Sequence, residues 1–145
     1  MNELVVFNDS NVYLSLDAEK ERKVVANAIV SADFKIGDFI NQRIQLKDLY
    51  IEPIEFTNKE TGEVEAGHRI IMFDAEKKSY ETCSSGIYNA LKRICSVYGM
   101  PTWEEPITVE VKQVQRGADR KMLTLKICLL YTSDAADDLT RVAPG

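Results

Sequence analysis

RIQLKDLYIEPIEFT, residues 43–57, is the stretch from which the fold is read. Its apolar positions are Ile44, Leu46, Ile51, Ile54 and Phe56. They alternate as a half-buried strand requires, yet the alternation slips between Leu46 and Ile51, and Pro53 sits inside the run. One extra residue in a strand makes a bulge, and a bulge bends the strand. Small barrels need such a bent first strand to close.

Working outward toward the C-terminus, NKETGEVEAG makes a polar hairpin loop, with Lys59 to Gly62 as its turn, and GHRIIMFD makes a second strand. DAEKKS turns the chain into a short third strand, SYETC. SSGIYNALKRICSVYG then carries Ile87, Leu91, Ile94, Cys95 and Tyr98 as one apolar helical stripe, capped by Ser84 or Ser85 and stopped by Gly99 and Pro101. PITVEVKQVQ alternates at Ile107, Val109 and Val111, RGAD turns, and MLTLKI alternates at Leu123, Leu125 and Ile127. In the other direction, Asp17 is placed to cap a helix over AEKERKVVANAIVSAD, where Glu19 and Glu21 favour the positive end of the helix dipole. Upstream, Val12, Leu14 and Leu16 alternate as a short strand.

The expected fold is mostly β with two helices: a five-stranded OB-fold barrel with a helix between strands 3 and 4 and an extra N-terminal helix. The alternative with the same element order is a small α+β fold with an open sheet. The organisation is an N-terminal arm over residues 1–16, the barrel domain over 17–127, and a tail over 128–145.

The composition is that of an ordinary globular domain, 45% hydrophobic and 28% charged. No apolar run approaches the roughly 20 residues of a membrane span, and the first residues lack the basic and apolar regions of a secretion signal. A cytoplasmic protein is expected. Cys83, Cys95 and Cys128 have neither CxxC spacing nor an even count, which speaks against disulfides and structural zinc. The lone His68 has no second ligand near it in sequence, so neither metal nor cofactor is expected. There is no P-loop, no HExxH and no supported nucleophilic triad, so no enzyme is expected.

CLLYTSDAADD, residues 128–138, resembles a translated transposase sequencing adapter over eleven consecutive positions. The native sequence is therefore expected to end near Ile127. Setting aside Asp134, Asp137, Asp138 and Arg141 brings the net charge from −5 to −3.

The segments ANAIVSADFKIGDFI, DLYIEPIEFTNKETGEVEAGHRIIMFD, KSYETCSSGIYNALKRICSVYGMPTWEEPITVEVKQ and RKMLTLKI together resemble the small single-stranded DNA-binding proteins of tailed phages of low-GC Gram-positive bacteria. The most telling pieces are the ETGE hairpin, the S-x-G-I-x-x-x-L-x-x-I helix, the G-x-P-x-W link and the closing LTLK strand. The resemblance implies an OB-fold that coats and protects single-stranded DNA in phage replication or recombination, inside the infected host cell. Phage replication or recombination proteins, or further copies of the chain, are then potential partners.

Binding a single strand needs cations along the phosphates and flat side chains against the bases. Lys112, Arg116, Arg120, Lys121 and Lys126 stand against only Glu110 and Asp119 between Ile107 and Ile127, so this hairpin is basic on an acidic body. Tyr50, Phe73 and Tyr80 are candidates for stacking and equally for the core. His68 and Arg69 open the second strand and are candidates for contact with base or phosphate. Trp103 is read as a cap on the bottom of the barrel. The competing functions are an OB-fold protein–protein adaptor and a small metal-dependent nuclease using carboxylates such as Glu52, Glu55, Glu60, Glu63 and Glu65.

Overall fold

The computed structural model describes residues 12–115 and 121–128. Among them the elements in order are β1 (Tyr13–Leu14), α1 (Arg22–Val30), β2 (Phe34–Lys35), a 3-10 turn (Ile36–Phe39), β3 (Arg43–Thr57), β4 (Val64–Asp74), β5 (Ser79–Thr82), α2 (Ser85–Tyr98), β6 (Ile107–Gln115) and β7 (Lys121–Ile127).

β3 organises the sheet. One edge of it pairs with β4 from Leu46↔Asp74 to Thr57↔Val64, and the register shifts between Leu46 and Asp48. The other edge pairs with β6 from Arg43↔Glu110 to Leu46↔Ile107, and then with β1 at Tyr50 and Ile51. Lys47 is the extra residue. Before it, the even-numbered Ile44 and Leu46 face the main core; after it, the odd-numbered Leu49 and Ile51 do. The slip in the apolar pattern is this bulge, and it keeps one face of a bending strand apolar. Beyond Ile51 only β4 pairs with β3, so Pro53 lies on a free edge, where its missing N–H is tolerated.

The strand order is β2-β5-β4-β3-β6-β7, with β1 on β3, and the sheet curls into a half-barrel. All five strands expected from the sequence are present, as β3 to β7. The structure adds β1 and β2, each two residues long, so the sheet has seven strands and not five. Both additions are too short to leave a periodic signal.

α2 lies where expected, between the third and fourth of those five strands. Ser84 Oγ accepts from the Ile87 N–H at 3.4 Å, and Gly99, at φ 86°, ends the helix in a backbone conformation open to glycine. Its inward residues include Ile87, Tyr88, Leu91, Ile94 and Cys95. Tyr98, expected in the stripe, is instead 52% exposed. α1 starts at Arg22, later than its sequence pattern suggests. The Asp17 carboxylate accepts from the N–H groups of Glu19 and Lys20, so it closes a separate turn ahead of the helix.

Two cores result. The main one fills the space between the sheet and α2, and includes Ile44, Leu46, Met72, Leu91 and Val109. Trp103, 6% exposed, belongs to it and donates from Nε1 to the Gly99 carbonyl at 2.9 Å. The second lies on the other face of the sheet, where Tyr50, Ile71 and Phe73 pack with Ala28 of α1.

α2 approaches β7 closely at Gly86. A Cβ there would stand 2.0 Å from the Leu123 carbonyl oxygen, a backbone atom with little room to retreat. Helix propensity alone would make Gly86→Ala stabilising by about 1 kcal/mol. Overpacking costs of about 1–3 kcal/mol should outweigh it. Gly86→Ala should therefore lower the melting temperature, and an unchanged or higher value would show that α2 and β7 do not meet here.

Candidate nucleic-acid interface

Along β6, Ile107, Val109 and Val111 turn into the core, so Thr108, Glu110 and Lys112 stand on the outer face. Pairing brings neighbours alongside them. Arg43 of β3 lies opposite Glu110, which lies opposite Lys126 of β7, while Lys112 lies opposite Thr124. Arg43 and Lys126 are exposed. Lys112 Nζ donates to Asn41 Oδ1 at 3.0 Å and sits 3.5 Å from Glu110 Oε2. The result is a three-strand strip with three cations around one carboxylate, flanked by Gln45 and Thr108, whose side chains bond each other at 3.0 Å.

Lys121 pairs with Gln115, on the parity of Leu123 and Leu125, so it does not share a face with Lys126. Arg116 and Arg120 lie outside the described residues. Basic residues that form one group in the sequence are thus divided between the two faces of the hairpin, because neighbours at odd spacing along a strand point opposite ways.

The candidate aromatic residues are placed inside. Tyr50 is 7% exposed and Phe73 fully buried, both beneath α1. Tyr80, 7% exposed, has its ring 5.1 Å from those of Phe34 and Phe39 and donates to Asp74 Oδ2 at 2.9 Å. As packed, these three rings leave no face open to a base. His68 stacks on Tyr88 of α2 with centroids 3.9 Å apart and planes 5° from parallel, and the Lys92 ammonium lies 5.3 Å from the centre of the Tyr88 ring.

Arg69 is held by its own protein. Its Nε donates to Glu81 Oε2 at 2.9 Å and an Nη to the Ile29 carbonyl of α1 at 2.8 Å, and Glu52 lies 3.6 Å away. Burial opposes its charge, and the carboxylates of Glu81 and Glu52 more than offset this, holding its pKa above the usual arginine value. This geometry ties α1 to the sheet.

Two residues not singled out in the sequence stand out in space. Arg43 was read only as the start of a strand; its role depends on pairing with β6. Phe34 is 36% exposed at the β2 edge, beside Lys35, and the segment from 34 to 42 runs from β5 across to β6, where the Asn41 N–H donates to the Val111 carbonyl at 2.6 Å. The F-K pair just past the helical pattern was the available signal.

Among the described residues, no group of three or more His, Cys, Asp or Glu is arranged to hold a metal ion, and no helix is long and apolar enough to cross a membrane. A family model described as phage single-stranded DNA-binding protein matches residues 8–128. No curated protein and no solved structure matches the chain.

The buried hydroxyls set an alkaline signature. Burial, then the hydrogen bond and charge of Glu52, push the Tyr50 pKa up to about 12; burial, then the charges of Cys95 and Asp48, do the same for Tyr13. A phenol with a raised pKa in the folded state stabilises the fold fully below its ordinary value of about 10. That contribution is lost as pH rises toward 12. Absorbance titration should therefore show late-ionising tyrosines, with stability falling across this window, and Tyr50→Phe should remove part of the fall. A second check concerns the tether. Arg69→Lys cannot keep the forked contacts and should cost about 1–3 kcal/mol of stability, measured by urea unfolding. No loss would mean that Arg69 does not hold α1.

Proposed function

The chain belongs to the Phi29 phage single-stranded DNA-binding protein family, and on that premise we propose that it coats and protects single-stranded DNA without catalysis, serving phage replication or recombination in the host cytoplasm. The reading that suits the half-barrel is an OB-fold whose strand-binding surface is the outer strip of β3, β6 and β7. The observation that carries it is the gathering of Arg43, Lys112 and Lys126 on one face of a chain whose net charge is −5.

Phosphates cross this strip, where the cations replace condensed counterions and the amide and hydroxyl groups of Gln45 and Thr108 lie within reach of the backbone. Arg116, Arg120 and Lys121 extend the cationic surface at the hairpin turn. Phe34 supplies an exposed ring for a base, with Lys35 beside it. Tyr50, Phe73, Tyr80 and Arg69 act in this reading as the scaffold that holds the surface in shape. His68 reaches the strand only from its stack on Tyr88.

Binding should be tolerant of sequence and sensitive to salt. With roughly three phosphate contacts at about −0.7 each, the log–log salt slope for oligo-dT should be near −2. The triple variant Arg43→Ala, Lys112→Ala, Lys126→Ala should fold normally, bind about tenfold or more weakly at low salt and show a flatter slope. Arg116→Ala, Arg120→Ala, Lys121→Ala should weaken binding in the same direction. Parent-like affinity in the first triple variant with a loss in the second would move the strand to the hairpin tip, and parent-like affinity in both would remove the strip as the site.

A further inference from the structure

The β3–β4 hairpin extends past the half-barrel as an arm, with exposed residues from Glu55 to Thr57 and from Lys59 to Ala66. It is acidic: Glu55, Glu60, Glu63 and Glu65 stand against Lys59 alone. It also carries two bare apolar side chains, Phe56 at 47% and Val64 at 65% exposure. The tip is well ordered by its own bonds. Asn58 Oδ1 accepts from the N–H groups of Glu60 and Thr61, its amide donates to Glu65, and Gly62, at φ 77°, completes the turn. Phe56 lies over Gly67, where a Cβ would come within 3.0 Å of its ring. The ring is thus presented on a preformed surface.

At the other side of the molecule, α2 and β7 enclose a groove of about 940 Å³. Its apolar wall includes Ala90, Ile94, Val97, Met122 and Leu125, and Arg93 stands within it. Val97 is 79% exposed. α2 carries Lys92 and Arg93, β7 carries Lys121 and Lys126, and neither element contains an acidic residue. β7 is also an edge strand. The Cys128 N–H bonds the Thr108 carbonyl at 2.9 Å, so alternation turns the backbone groups of Leu123, Leu125 and Ile127 to the open side. Ser84 Oγ donates to the Leu123 carbonyl at 3.4 Å from that side.

We propose that the acidic β3–β4 arm of one copy docks in the cationic α2–β7 groove of the next, so that copies associate head to tail. Phe56 and Val64 enter the apolar floor, and the arm's carboxylates meet Arg93 and the lysines of the walls. The arm's charge decides against DNA as its ligand, since four carboxylates repel phosphate and match a cationic protein surface. A contact between two different patches need not close on itself, so it builds an open line of copies. This goes beyond the reading of DNA binding and does not depend on it.

The test is sedimentation velocity of the protein without DNA at rising concentration. The mean mass should grow with concentration and fall in high salt, because exposed charge pairs are screened. Phe56→Asp removes the arm's anchor and Arg93→Glu reverses the groove. Each variant alone should be monomeric, while their mixture, which retains one working arm and one working groove, should form a dimer and nothing larger. Glu65→Lys and Val97→Asp serve as the second pair if either first variant loses its native circular dichroism. A parent that stays monomeric at all concentrations would overturn the proposal, as would a mixture that stays monomeric. Arg93→Glu that weakens binding to a short oligo-dT while leaving association intact would assign the groove to DNA and overturn it too.

Discussion

The inserted residue Lys47 is the constraint on which the rest depends. Without it, Ile44, Leu46, Leu49 and Ile51 could not share one face of a single strand, because side chains alternate with a period of two. The bulge also creates a junction. The Lys47 carbonyl accepts from the Trp103 N–H at 3.3 Å, and its ammonium donates to the carbonyls of Trp103 and Glu104. Next to it, Asp48 is 4% exposed, accepts from Ser15 Oγ at 2.7 Å and is also bonded by the Thr102 hydroxyl. The N-terminal strand and the link after α2 are both fastened where β3 bends. A buried carboxylate there is tolerable because its partners are in place.

The same slip sends Tyr50 to the far face of the sheet, where α1 covers it with Ile71 and Phe73. Magnitudes favour that outcome. A buried aromatic side chain removes about 150–250 Å² from water, worth several kcal/mol at about 25 cal/mol per Å². A base stacked on an exposed ring gains about 1–3 kcal/mol. Rings at the centre of a small sheet are thus more valuable to the fold than to a ligand. The strand-binding role passes to the periphery, where Arg43, Lys112 and Lys126 need not be desolvated to hold the fold together.

Arg69 illustrates how a residue type suited to phosphate can be taken up internally. Its fork spans two carboxylates and a helix carbonyl, and α1 remains on the sheet through that contact and the Asp33–Ser79 pair, in which the Asp33 N–H donates to Ser79 Oγ at 2.9 Å. A guanidinium satisfied in this way has little left to offer a phosphate.

Local pattern was enough for the element order. The period of two in residues 107–115 and 122–127, the stripe of α2 with its Ser84 cap and Gly99 stop, and the slip at Lys47 are all properties of neighbouring residues, which is why they were legible in the chain. The basic character of the last hairpin was legible too, as was the likeness to phage single-stranded DNA-binding proteins that the family match bears out. Which side chains share a face was decided only by tertiary structure. Arg43 joins Lys126 because β6 lies between their strands, Lys121 leaves that group through the parity of its register, and Tyr50 becomes core because a helix distant in sequence settles over it. Register and burial are long-range quantities, set by what packs against a strand, and a residue's own neighbours in sequence carry no record of them.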